Sequence, residues 1–125
     1  MKQRLLYTLS FLIFSFLLSC KEDTKNETVT PIHSASLQIT VLKENTNHVK
    51  HPLSGVTVYL FLSDYDRSQN QNVKFSGTVT DSGKISFNSL PDDYYFIQAS
   101  HPTYGTNKSE TATPDKTVSY EEIDY

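Results

Sequence analysis

Few residues of this 125-residue chain have the types and spacing that chemistry needs. His48 and His51 stand three apart, a spacing that on a helix sets two imidazoles on one face, where they can share a metal. They sit instead in an Asn-rich stretch running into Pro52, and the residue before a proline is turned away from helix. Glu44 is the one acid nearby, so both read as loop histidines. Asp64-x-Asp66-x-Ser68-x-Asn70 imitates the opening of a calcium loop. The twelve-residue loop needs Gly at its sixth position and Glu at its twelfth, where this chain has Gln69 and Phe75; a solvated loop is expected. Asp92 and Asp93 are adjacent, and in extended chain they point to opposite faces, which prevents them from acting as an acid/base pair. The four glycines, at 55, 77, 83 and 105, are too scattered to cradle a phosphate. No serine sits in a nucleophile-elbow pattern. The expectation is a chain without catalytic residues, metal or cofactor.

One nucleophile remains, the single cysteine, Cys20. It follows a basic start (Lys2 and Arg4) and an uncharged run of 14 residues, Leu5 to Leu18, rich in Leu, Phe and Ile. A spanning helix needs about 20 apolar residues, so this run has the length of a secretory signal. The boundary Leu17-Leu18-Ser19-Cys20 resembles the lipobox of bacterial lipoproteins: an aliphatic residue, a variable one, a small one, then Cys. The thiol is the group that carries a thioether-linked diacylglycerol, and the small residue before it admits the signal peptidase. The resemblance implies that residues 1–19 are removed and that Cys20 becomes the lipid-bearing N-terminus. Two or three acyl chains hold a protein stably on its membrane, so the membrane is the first expected partner. Lys21-Glu22-Asp23 resembles the surface-export signal of lipoproteins from Bacteroidota-type bacteria, which implies an outer-membrane protein facing the cell exterior.

Without residues 1–19 the chain keeps nine basic and fourteen acidic residues. An acidic balance speaks against nucleic acid, which calls for a basic footprint, and against an electrostatic grip on anionic lipid. The length fits one domain. Residues 20–36 are polar, Thr-rich and without periodicity, a flexible tether of the coil type.

From residue 37 the texture changes to period two, the mark of half-buried strands. Leu37, Ile39 and Val41 alternate with Gln38 and Thr40; Val56, Val58, Leu60 and Leu62 alternate with Thr57, Tyr59 and Phe61 in a second, strongly apolar strand. Lys43 to His51 and Ser63 to Asn72 read as loops. Lys74 to Thr80 is a third strand, Asp81-Ser82-Gly83 a turn, and Ile85 and Phe87 mark a fourth. Leu90-Pro91-Asp92-Asp93 turns again. Tyr95, Ile97 and Ala99 share one face of a fifth strand. His101 to Lys116 is a Pro/Gly/Thr loop with room for a short strand, and Thr117 to Ile123 closes the set. Many short strands with regular turn signals predict an all-β sandwich or small barrel over residues 37–125.

Three segments, in order, resemble carboxypeptidase regulatory-like domains: His51-Pro52-Leu53-Ser54-Gly55-Val56-Thr57-Val58-Tyr59-Leu60, the hairpin Thr80-Asp81-Ser82-Gly83-Lys84-Ile85-Ser86-Phe87, and Leu90-Pro91-Asp92-Asp93-Tyr94-Tyr95-Phe96-Ile97-Gln98-Ala99. Asp93 departs from the glycine usual in the last of these. The resemblance implies a seven-stranded prealbumin-like (transthyretin-like) β-sandwich, with Leu90 and Tyr95 plugging one end. It also implies a non-catalytic accessory, although fold alone does not give function.

The alternation that turns Val58, Leu60, Tyr95 and Ile97 inward turns Tyr59, Phe61, Tyr94 and Phe96 outward. Contiguous exposed aromatics mark interaction sites and suit stacking on a sugar or a protein. The expected function is therefore a membrane-anchored, surface-exposed lipoprotein whose sandwich is a binding or structural accessory. The alternative is a carbohydrate-binding module of a glycan-uptake system, with these four residues as the candidate protein or glycan patch.

Overall fold

The computed structural model describes residues 33–125. The expected lipid attachment at Cys20, the expected leader over 1–19 and most of the expected tether over 20–36 lie outside the described residues. The described chain runs β1 (Ala35–Glu44), β2 (Lys50–Pro52), β3 (Thr57–Phe61), α1 (Asp64–Gln69), β4 (Phe75–Thr78), β5 (Lys84–Leu90), β6 (Asp93–His101), β7 (Gly105–Thr113) and β8 (Val118–Asp124). These eight strands form two four-stranded sheets. An all-β sandwich is what the alternation predicted, with eight strands among the described residues where the family resemblance implied seven.

The first sheet is built around β1. Its partners β2 and β5 are antiparallel and β8 is parallel. At Val41 the strand changes neighbour: its N–H donates to Gly83 O at 2.7 Å, and its carbonyl accepts from Leu53 N at 3.0 Å. Before this point β1 pairs with β5, and after it with β2. The second sheet has the order β4-β3-β6-β7, antiparallel throughout.

Period two decides what lies between the sheets. Leu37, Ile39 and Val41 of β1 face Val58 and Leu60 of β3 and Tyr95, Ile97 and Ala99 of β6 in one core cluster. All are essentially inaccessible to solvent. Phe87 and Leu90 both point inward although they stand three positions apart. A bulge accounts for it: Phe87 pairs with Leu37 and Leu90 with Ala35, so β5 covers three steps against two on β1. Ser89 absorbs the extra residue at φ 56°, as bulge residues do.

β7 corrects the loop expected over 101–116. Its inward row, Asn107, Ser109, Thr111 and Thr113, is polar, so no apolar alternation announces it. The row lies against β8 along a polar seam. Ser119 Oγ donates to Ala112 O at 2.8 Å, Ser109 Oγ bonds the Glu121 carboxylate, and Asn107 Nδ2 meets Asp124 O at 2.5 Å.

Candidate functional site

Register places the four predicted aromatics on one sheet. Phe61 of β3 lies opposite Phe96 of β6, and Tyr59 opposite Gln98. Tyr94 is two residues along β6 from Phe96, and their rings meet edge to face at 5.4 Å. On β7, Lys108 lies beside Gln98, Glu110 beside Phe96 and Ala112 beside Tyr94. The outer face of the second sheet is therefore a grid of aromatic, amide, ammonium and carboxylate groups.

The grid is only partly open, which corrects the patch as predicted. Phe61 is fully buried although it stands outside the main core cluster, so it offers no surface to a partner. The cover is α1, which packs against β3 and β6. This helix falls where a solvated loop was expected. It begins at Ser63, whose Oγ accepts from Asp66 N at 3.1 Å and donates to the Asp66 carboxylate at 2.9 Å, a reciprocal N-cap. It ends at Asn70 in the left-handed region (φ 49°). There Gln71 N bonds Asp66 O at 3.0 Å and Asn70 N bonds Arg67 O at 3.2 Å, a Schellman closure.

Arg67 fastens the helix to the sheet. Its guanidinium is buried and forks onto Asp64 Oδ1 from Nε (3.0 Å) and Nη2 (2.6 Å). Nη1 donates to Ile97 O at 3.3 Å and Ser109 O at 2.8 Å. The guanidinium carbon stands 5.3 Å from the centre of the Phe96 ring, within cation–π range. Sequence reading passed over Arg67, although Ser63-x-x-Asp66 ahead of it carries the acid of a capping box. What stays open is narrower than predicted: Tyr94 exposed, with Tyr59 and Phe96 half-buried beside it. Burial raises the Tyr94 phenol above its ordinary value, and the neighbouring Glu110 carboxylate adds to the effect.

The remaining chemical candidates are engaged elsewhere. His48 Nδ1 pairs with the Glu44 carboxylate, while His51 Nε2 bonds Asn45 Nδ2 at 3.1 Å, so the two imidazoles serve different partners. Among the described residues no three metal-ligating side chains converge. The Asp66 carboxylate accepts from Ser63, Gln71 (3.3 Å) and Asn72 (2.9 Å), and Asp64 is held by Arg67. Donors surround both acids, the reverse of what a cation needs. Asp93 opens β6, and its Oδ1 accepts from Tyr94 N at 2.8 Å. At one end of the sandwich Tyr104 stacks on His101 at 4.6 Å while Lys43 Nζ sits 3.3 Å from the centre of its ring. With neighbours at its ring, Tyr104 belongs to the packing of that end.

Two carboxylates, Asp66 and Asp115, carry a pH dependence. The hydrogen bond from Asn72, then that from Ser63, hold Asp66 below its ordinary value, and the bond from Ser34 does the same for Asp115. A carboxyl depressed on folding contributes stability that is complete above its unfolded value, about 3.9, and is lost as pH falls through the folded value. Thermal melts are expected to hold steady from about pH 7 to 5 and to fall below about pH 4. Asp66→Asn is expected to flatten part of that acid slope; an unchanged slope would detach Asp66 from it.

No helix of the described residues is long and apolar enough to cross a membrane. No family model matches the chain, and no curated protein sequence matches it. Solved structures do. A minor pilin of Streptococcus agalactiae superimposes with a TM-score of 0.58 at 15% identity, over 74% of this chain and 44% of that one. The Bacillus anthracis TIE protein gives 0.55 at 18% identity, over 74% of this chain and 16% of that one. A streptococcal ancillary pilin gives 0.52 at 17%, over 76% and 33%. The chain spans less than half the length of each of them. At such identities what is shared is the fold: this chain carries a β-sandwich of the kind found in these two pilins and in the TIE protein.

Proposed function

We propose that the protein is an exported lipoprotein, held on the outer membrane through Cys20 and facing outward. Its sandwich serves as a non-catalytic binding or structural accessory, of the carboxypeptidase regulatory-like, transthyretin-like kind. The observation that carries this reading is the run Leu17-Leu18-Ser19-Cys20 at the end of a short apolar leader, with Cys20 the only cysteine in the chain. A lone exported cysteine has no internal disulfide to make, and lipid gives it a use. The folded domain is compatible with the reading, since His48 pairs with Glu44, His51 with Asn45, and Asp64 with Arg67. In cells, Cys20→Ala is expected to move the protein from the membrane pellet to the soluble fraction. Retention of the variant in a carbonate-washed pellet would overturn the anchor.

The open strip of the second sheet favours one further reading, the binding of a glycan. Tyr94, Phe96 and Tyr59 offer ring faces and edges, while Gln98, Lys108 and Glu110 supply donors and acceptors within a strand's width. A hydroxylated ligand suits that mixture better than an apolar one. Affinity gels cast with neutral and acidic polysaccharides are expected to retard the protein, and Tyr94→Ala to abolish the retardation. Equal mobility of the two proteins in every gel removes the glycan reading and leaves the anchor reading untouched.

A further inference from the structure

We propose that β8 is exchangeable between copies: the place beside β1 accepts β8 from a second copy of this chain, giving a reciprocal strand-swapped pair. The inference starts from how unevenly β8 is held. Its one ladder partner is β1, paired along the whole strand in parallel register from Ser36 and Val118 through to Leu42 and Asp124. The ladder is extended by Ser36 N to Thr117 O (2.9 Å) and Tyr125 N to Leu42 O (2.8 Å). Its side chains are not core-like. Ile123 is its one buried apolar residue, while Val118 and Tyr120 are 52% and 71% exposed. Ser119 and Glu121 face the polar seam with β7, and Lys50 reaches Glu122 at 2.9 Å and Asp124 at 2.8 Å.

The strand beneath is the opposite. Leu37, Ile39 and Val41 of β1 are fully buried, and losing β8 would uncover their flank and unpair one edge of a central strand. Unpaired edges are templates for another strand. The segment with the right length, register and polar pattern to refill this one is β8 itself. A second copy therefore fills it best.

The connection that keeps β8 on its own β1 is short and lightly held. Residues 114–117 are all exposed, and Lys116 sits at φ 58°, a conformation that residues with a side chain rarely adopt. Straightening the connection releases that backbone. It gives up Thr117 N to Pro114 O (3.3 Å), the shorter bond of the Thr117 hydroxyl to the same carbonyl, Lys116 N to Ser34 Oγ (3.2 Å) and the Ser34–Asp115 bond. The contacts β8 makes with β1, β2 and β7 are the same in a neighbour's sandwich. Exchange of an identical element is a low-cost route to a dimer, and short hinges promote it.

Gln38 and Tyr120 lie opposite each other, which supplies the test. Two full-length proteins, both with Cys20→Ser, would carry Gln38→Cys in one and Tyr120→Cys in the other. They would be mixed at high concentration in mild detergent, warmed, cooled and oxidised. The expected result is a disulfide-linked dimer in the mixture and far less in either protein alone. A single protein carrying both substitutions, oxidised while monomeric, is expected to stay monomeric afterwards. Deleting Asp115 and Lys116 is expected to raise the dimer fraction by about tenfold or more in light scattering after size exclusion. No linked dimer in the mixture, or dimerisation of the pre-oxidised double variant as readily as of the unsubstituted protein, overturns the proposal, whether or not the deletion variant folds.

Discussion

Tyr95→Ala is expected to destabilise the folded domain by about 3–5 kcal/mol, the range for emptying a fully buried aromatic site. Tyr95 is 1% exposed, meets the Phe75 ring edge-on at 6.1 Å and packs in the same cluster as Ile97, Leu60 and Leu90. Burial pushes its phenol above the ordinary value, as an apolar setting does to an ionisable hydroxyl. Domains of this size have total stabilities of about 5–15 kcal/mol, so the loss is a large share. The melting temperature is expected to fall by about 15–30 °C. Its neighbour provides the internal control. Tyr94 is the same residue type one position away, but 44% exposed on the opposite face. Tyr94→Ala is expected to cost less than about 1 kcal/mol. Chemical denaturation of the two variants side by side checks the assignment of faces, and equal losses would mean that β6 is out of register.

Gly83→Ala is expected to cost about 2–5 kcal/mol, from two sources that add. The first is backbone: Gly83 sits at φ 73°, where a side chain is strained by about 1–2 kcal/mol. The second is space. A β-carbon there would lie 2.8 Å from both Val41 O and the Pro52 β-carbon, and overpacking of this kind typically costs about 1–3 kcal/mol. The atoms in the way are those with which β1 changes partner from β5 to β2, so the clash falls on the hinge of the first sheet. Gly105 makes the contrast. It too has positive φ, but nothing lies within 4 Å of where its β-carbon would be. Gly105→Ala should therefore show the conformational part alone. Urea melts of both variants separate the two sources; similar midpoints would mean that the turn at Gly83 yields without strain.

The parts of the fold legible in the sequence are those where one face of a strand is apolar. Leu37, Ile39 and Val41, the Val56 to Leu60 run, and Tyr95, Ile97 and Ala99 all face the core as their alternation requires. Legibility stops where other forces set the pattern. β7 was hidden because its inward residues face the polar seam with β8. β2 is three exposed residues, held by its register with β1, and carries no apolar signal. α1 is six residues long, too short for a 3.6-residue period, and its one buried side chain is an arginine. The end of β5, over 87–90, breaks period two by a bulge, which single-strand patterning does not foresee. The candidate patch was half legible for the same reason. Alternation correctly turned Phe61 outward from the core, but it carries no information about a helix folding back over that face.

The proposed anchor at Cys20 would make the protein a resident of a membrane surface and give its sandwich a place to act. Metabolic labelling with a clickable palmitate analogue, comparing wild type with Cys20→Ala, tests that most directly when followed by protease shaving of intact cells. The expected result is label on the wild type, none on the variant, and removal of the wild-type domain by the protease. Absence of label on the wild type would contradict the anchor and leave a secreted domain with an incidental cysteine.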